Sequence, residues 1–157
     1  MTHIKYFLMG IACIAFTCTS LAVNNDPNYE KTELGIKLSL KNANIEIQFY
    51  TPSMVRVIKT PKNSSFKKES LSVVLKPKKT PFKIEEKKNE LTLKSERLEI
   101  AINTQTGNIS YTLPDDSLLL KEQTGSPLFT PFKDVDQDTY TVSQSFSLGS
   151  AELYFQK

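Results

Sequence analysis

Apolar and polar residues alternate with a period of two along most of this chain. Ile36, Leu38 and Leu40 alternate with Lys37, Ser39 and Lys41, and Ile45, Ile47 and Phe49 with Glu46, Gln48 and Tyr50. Leu98, Ile100 and Ile102 alternate with Glu99, Ala101 and Asn103. Toward the end, Tyr140, Val142, Gln144, Phe146 and Leu148 alternate with Thr141, Ser143, Ser145 and Ser147. Successive side chains of a strand point to opposite sides, so each stretch predicts a strand with one buried and one wet face. No window beyond the first 22 residues carries a 3.6-residue stripe. The pattern predicts an all-β fold, an antiparallel β-sandwich of about ten short strands.

Turn residues fall between these runs. Asn42-Ala43-Asn44 and Lys87-Lys88-Asn89 can reverse the chain, because Asn tolerates the left-handed backbone conformation. Thr104-Gln105-Thr106-Gly107 predicts a hairpin between residues 98–103 and 108–113, with Gly107 supplying the positive φ. Pro114-Asp115-Asp116 opens the next turn, and residues 134–138 read as a solvated loop before a final strand. Residues 53–59, bracketed by Thr51-Pro52 and Thr60-Pro61, carry Met54, Val55, Val57 and Ile58 on both faces. Such a strand is expected to be central or covered on both sides.

The N-terminus has a different character. Residues 2–5 are polar and end in Lys5, an apolar run follows from Tyr6 to Phe16, and Ser20-Leu21-Ala22 has the small-x-small form of a signal-peptidase site. The run is shorter than the roughly 20 apolar residues a membrane-spanning helix needs. The expected organisation is a signal peptide at 1–22, a linker at 23–33 and one β-sandwich domain at 34–157, exported to the periplasm or the medium. Lipidation at Cys18 is the less favoured alternative, because Ala15-Phe16-Thr17 is a poor context for it.

Removal of that leader changes the chemistry open to the chain. The only histidine, His3, and both cysteines, Cys13 and Cys18, lie inside it, and the protein has no tryptophan. No disulfide can then brace the domain, and the groups that usually serve as nucleophile, general base or soft metal ligand are gone. The net charge of +3, one unit of which is Lys5, is spread over lysines set in turns. Nucleic-acid binding wants a basic face with interleaved aromatics, so it is not expected.

The remaining candidates for chemistry are few. Asp134, Asp136 and Asp138 stand at the first three alternate positions of a calcium loop, but Thr139 and Ser145 occupy the places of its turn glycine and closing glutamate, so a solvated acidic loop is expected. Asp115-Asp116 could serve glycoside hydrolysis only if the two acids flanked a bond in a desolvated cleft, and adjacent acids in a turn do not. Arg56, mid-strand between Val55 and Val57, either pairs with an acid across the sheet or faces a partner domain, or is simply solvated. Tyr50, Tyr111 and Tyr154 could stack on sugar rings, although Tyr111, in phase with Ile109 and Leu113, reads as core. Asn63-Ser64-Ser65 and Asn108-Ile109-Ser110 match the glycosylation acceptor pattern. No catalytic, cofactor-binding or metal-binding residue is assigned.

The order of the segments resembles the N-terminal, galactose mutarotase-like domain of glycoside hydrolase family 31, the family of α-glucosidases and α-xylosidases. The resemblance rests on residues 45–49 followed by Thr51-Pro52-Ser53-Met54-Val55-Arg56-Val57, then Leu91-Thr92-Leu93-Lys94-Ser95-Glu96-Arg97-Leu98-Glu99-Ile100. It continues through Gly107-Asn108-Ile109-Ser110-Tyr111, Leu118-Leu119-Leu120-Lys121-Glu122 and Val142-Ser143-Gln144-Ser145-Phe146-Ser147-Leu148, covering roughly 34–154. In that family the last strand leads to a Tyr-Gly-Leu-Gly segment, and here Ala151-Glu152-Leu153-Tyr154 is followed by Phe155-Gln156-Lys157 without the glycines. The family's two catalytic aspartates lie on a (β/α)8 barrel beyond that point, so none is carried over. The resemblance therefore implies a non-catalytic sandwich that walls the active site of a barrel outside this chain. Its partner would be that barrel, it would meet oligosaccharide only indirectly, and it needs no cofactor and no membrane span. The alternative is a free-standing carbohydrate-binding β-sandwich module.

Overall fold

The computed structural model describes residues 29–64 and 73–149. Among them are twelve strands and no helix. The first four are β1 (Tyr29–Lys31), β2 (Gly35–Ser39), β3 (Ala43–Thr51) and β4 (Met54–Pro61). The middle of the chain forms β5 (Lys83–Lys87), β6 (Glu90–Lys94), β7 (Glu99–Asn103), β8 (Ile109–Thr112) and β9 (Leu118–Glu122). A hairpin of β10 (Leu128–Asp134) and β11 (Gln137–Ser143) precedes the last strand, β12 (Phe146–Leu148).

All neighbouring strands are antiparallel. The first sheet has the order β1-β2-β3-β4, the second β12-β9-β8-β7-β6-β5, and β10-β11 stands apart as a two-stranded ribbon. The period-two rows close the core as expected. Ile36, Leu38, Ile45, Ile47 and Phe49 from the first sheet meet Leu91, Leu93, Ile100, Ile102 and Ile109 from the second, and all are buried. At roughly 1.5–3 kcal/mol for each large apolar side chain removed from water, this layer is the main stabilising element. Gly107 has φ 77° and closes the β7–β8 hairpin, its N–H donating to the Asn103 carbonyl at 2.8 Å.

The two long flanks of the sandwich differ. On one, Phe82 stacks on Phe49 with ring centroids 5.2 Å apart, and Tyr29 of β1 donates to Glu86 of β5 at 2.5 Å. On the other flank the sheets meet through β4 and β9, and the β10–β11 ribbon stands beside them.

Several local expectations are revised. Residues 53–59 were expected to be central or covered on both faces, and among the described residues β4 is not central but ends its sheet. The final run of alternation divides into β11 and β12 with Gln144-Ser145 between them, where the Ser145 N–H leaves the strand ladder and donates to the Ser126 hydroxyl at 2.9 Å. Asp134 and Asp138 belong to strands, and only Val135-Asp136 forms the turn, with Val135 at φ 53°. Tyr29–Lys31, inside the segment read as a linker, adds β1 to the first sheet through pairing with residues 36–38.

Candidate functional site

The rows of β4 and β9 explain the most unusual feature of the interior. On β4, Val55, Val57 and Lys59 pair with Phe49, Ile47 and Ile45 of β3, so Lys59 is the third member of the core-facing row. On β9, Leu120 lies opposite Tyr111, and Glu122 follows on the same side of the strand. The Lys59 ammonium therefore meets the Glu122 carboxylate inside the sandwich, where they form a salt bridge. Lys59 also donates to the Gly107 carbonyl at 2.6 Å. Glu122 accepts the Ile109 N–H at 2.7 Å and the Gln144 amide at 2.6 Å. Burial pushes the Lys59 ammonium down from its ordinary value, and the Glu122 hydrogen bond and charge oppose that shift.

This arrangement is closed. Among the described residues no buried side-chain nitrogen or oxygen lacks a partner. With Oε2 taken by the Lys59 ammonium and the Ile109 N–H, Oε1 by the Gln144 amide, and the side chain only 1% exposed, the Glu122 carboxylate is not presented to a substrate. It braces the two sheets and ties Gln144, just after the ribbon, to both. Sequence reasoning missed this pair because an isolated Lys and Glu in strands usually face water. The available signal was phase, since Lys59 keeps step with Val55 and Val57, and Glu122 with Leu118 and Leu120.

Above the pair lies a groove of about 420 Å³, lined on one side by Arg56, Val57, Ile58 and Lys59 and on the other by Phe129, Val142 and Gln144. Arg56 is half-buried there and lies opposite Gln48 in register, and among the described residues it forms no salt bridge. Phe129 and Tyr140 make an edge-to-face contact at 6.3 Å on the same face of the ribbon. Large apolar side chains are exposed on the elements nearby: Val142 on the ribbon face that lines the groove, Leu128 and Phe132 on the opposite ribbon face, Leu118 and Leu119 on β9, and Phe146 and Leu148 on β12. Exposed apolar groups in such number are more typical of interaction surfaces than of a lone monomer's surface.

A second hollow of about 390 Å³ lies on the outer face of the first sheet, lined in part by Lys37, Ser39, Asn44, Glu46 and Thr60. Its polar groups are already engaged: Ser39 with Asn44 at 3.0 Å, Asn44 with the Lys62 carbonyl at 3.1 Å, and Gln48 with Glu46 at 2.9 Å.

The other sequence candidates are dispersed. Asp134, Asp136 and Asp138 sit exposed at the tip of the ribbon, where Asp134 pairs with Gln137 and Asp138 with Lys133, and the described residues hold no group of three potential metal ligands. Asp115 and Asp116 are exposed in the β8–β9 turn, and hydrogen bonds from Ser117 hold the Asp115 carboxyl below its usual value, opposite to what a general acid needs. Tyr50 is 5% exposed, and Tyr111 is half-buried against the core, so neither presents a free face to a sugar. Tyr154 lies outside the described residues. The Asn108 amide donates to the carbonyls of Gln123 at 2.8 Å and Ser126 at 3.0 Å, which occupies it against glycosylation, and Ser65 of the other acceptor lies outside the described residues.

Comparison with known proteins agrees with this architecture. Residues 44–155 match the model of the glycosyl hydrolase 31 N-terminal galactose mutarotase-like domain. Among solved structures, the fold is similar to that of the GH31 α-xylosidase from Xanthomonas citri, with a TM-score of 0.68 and 21% sequence identity. The match covers 75% of this chain and 13% of that enzyme, so the shared region is a small part of the larger protein.

Proposed function

Because the chain belongs to the family of glycosyl hydrolase 31 N-terminal galactose mutarotase-like domains, we propose that it acts as the non-catalytic sandwich of an exported α-glycosidase of the α-glucosidase or α-xylosidase type. In this reading it packs against a (β/α)8 catalytic barrel and walls one side of that barrel's active site. The observation that carries the proposal is the set of exposed apolar side chains on the ribbon, β9 and β12, in a domain whose carboxylates are paired, dispersed or solvent-exposed. Exposed apolar area of this kind stabilises a permanent interface, and it is a liability on a lone module.

The chain alone is expected to leave aryl α-glucosides and aryl α-xylosides intact. A polypeptide that joins it to a family barrel should hydrolyse one of them. Measurable turnover by the pure chain would overturn the proposal. The alternative, a free-standing carbohydrate-binding module, has lost its main support, since two of its three stacking tyrosines are packed into or against the core.

A further inference from the structure

The β10–β11 ribbon joins neither main sheet. Its strands are seven residues long, so its Val135-Asp136 tip lies roughly 20 Å from its base. Among the described residues, the ribbon from Leu128 to Ser143 makes no hydrogen bond or salt bridge to either sheet. Phe129 and Val142 lie across the groove from β4, but apolar attraction is non-directional and does not set an angle. What sets the direction of the ribbon has to be found at its base.

The base is densely bonded. Asn108 stands directly before β8, and its amide donates to the carbonyls of Gln123 at 2.8 Å and Ser126 at 3.0 Å. The Ser126 hydroxyl accepts the Ser145 N–H at 2.9 Å, which joins the chain entering the ribbon to the chain leaving it. The Gln123 N–H donates to the Ser145 carbonyl at 3.0 Å across the same gap. The Gln144 amide donates to Glu122 at 2.6 Å, and Glu122 is itself held by Lys59 and the Ile109 N–H. Both ends of the ribbon are thus tied to one spot, the start of β8 and the end of β9, where Ile109, Glu122 and Ser126 are buried. Hydrogen bonds weaken steeply off their axis, so several running in different directions hold an angle. We infer that Asn108, Ser126 and Gln144 are positioning residues that clasp the ribbon at a set angle to the sandwich, so that it meets a neighbouring body as a rigid arm. Leu128 and Phe132 then stand on one face, and Tyr140 and Val142 on the other, before any partner arrives. An arm that is already ordered loses less conformational freedom on binding than a loose one, and it binds more tightly.

This inference is independent of the glycosidase reading, and its test needs neither a partner nor an activity. Residual dipolar couplings and amide nitrogen relaxation would be measured by NMR on the full chain. The same measurements would be made on Asn108→Ala, on Gln144→Ala and on both combined with Ser126→Ala. In the unaltered chain, the amides of residues 128–143 should share one alignment tensor with those of residues 91–93 and 100–102, with order parameters of about 0.85 in both groups. Gln144→Ala should already shift the ribbon couplings. In the combined variant the ribbon should need a tensor of its own, while the amides of Ile100 and Ile102 keep theirs and report an intact core. Should the combined variant fail to fold, the unaltered chain and Gln144→Ala, which replaces an exposed side chain, decide the matter. A ribbon that moves independently of the sandwich in the unaltered chain overturns the inference. So does a ribbon that keeps the common tensor in every variant that folds.

Discussion

Lys59 on β4 and Glu122 on β9 form a salt bridge between the two sheets, with side-chain exposures of 6% and 1%. A buried pair of this kind costs much to break and little to replace. Taking one charge away leaves the other without compensation, worth about 3–5 kcal/mol, whereas exchanging both for apolar residues is often near neutral. Glu122→Leu and Lys59→Met should each lower stability by about that much in urea unfolding. The double variant should lose far less than the two together. Additive losses would show that the two charges are not coupled.

Alkaline pH should reveal the packing of Tyr111. Burial, helped by the Glu122 charge, raises its hydroxyl above the ordinary value of 10.0. A group whose proton is held more tightly in the folded state contributes stability that is complete below the unfolded value and lost as pH rises through the folded one. Urea midpoints should therefore fall above pH 10, and Tyr111→Phe should flatten that fall. Lys59 acts with the opposite sign, because burial lowers it from 10.5. Between its folded value and 10.5 it makes stability rise with pH, and Lys59→Met should remove that rise.

Gly107 closes the β7–β8 hairpin at φ 77°, and a Cβ there would stand 3.0 Å from the Leu40 Cδ1. An L side chain resists this backbone conformation, and the Leu40 methyl must also give way. Gly107→Ala should cost about 1–2 kcal/mol, read as a lower thermal midpoint with an unchanged β-sheet circular dichroism spectrum.

The ribbon should behave as an interface with no partner. Leu128 and Phe132 lie on one face of it and are 59% and 54% exposed. Leu128→Ser with Phe132→Ser should alter folding stability by less than about 1 kcal/mol. The same change should reduce self-association of the chain in analytical ultracentrifugation. In a polypeptide that includes a family barrel, it should weaken the union of the two domains. A large loss of stability in the isolated chain would mean that the ribbon is core and not interface.

Export is checked at the N-terminus. Protein recovered from outside the cytoplasm should begin at Val23, and Cys18→Ser should leave its release unchanged. A lipid-modified Cys18 at the N-terminus would replace that reading.

The period of the hydrophobic residues was enough to determine most of the strands and the core. Ile45, Ile47, Phe49, Ile100 and Ile102 could be read as buried directly from their spacing, because a strand with one wet face has only one way to place them. Gly107 was legible for a similar reason, since few residues accept its backbone angle. Lateral relationships were not legible, because alternation specifies the face a side chain takes and says nothing about which strand lies beside it. The structure alone showed that, among the described residues, β4, apolar on both faces, ends its sheet. Only the packing of one sheet on the other turned Lys59 and Glu122 from two ordinary strand charges into a buried pair. Position along a strand is encoded locally, while adjacency depends on distant segments meeting, and that is decided when the whole chain folds.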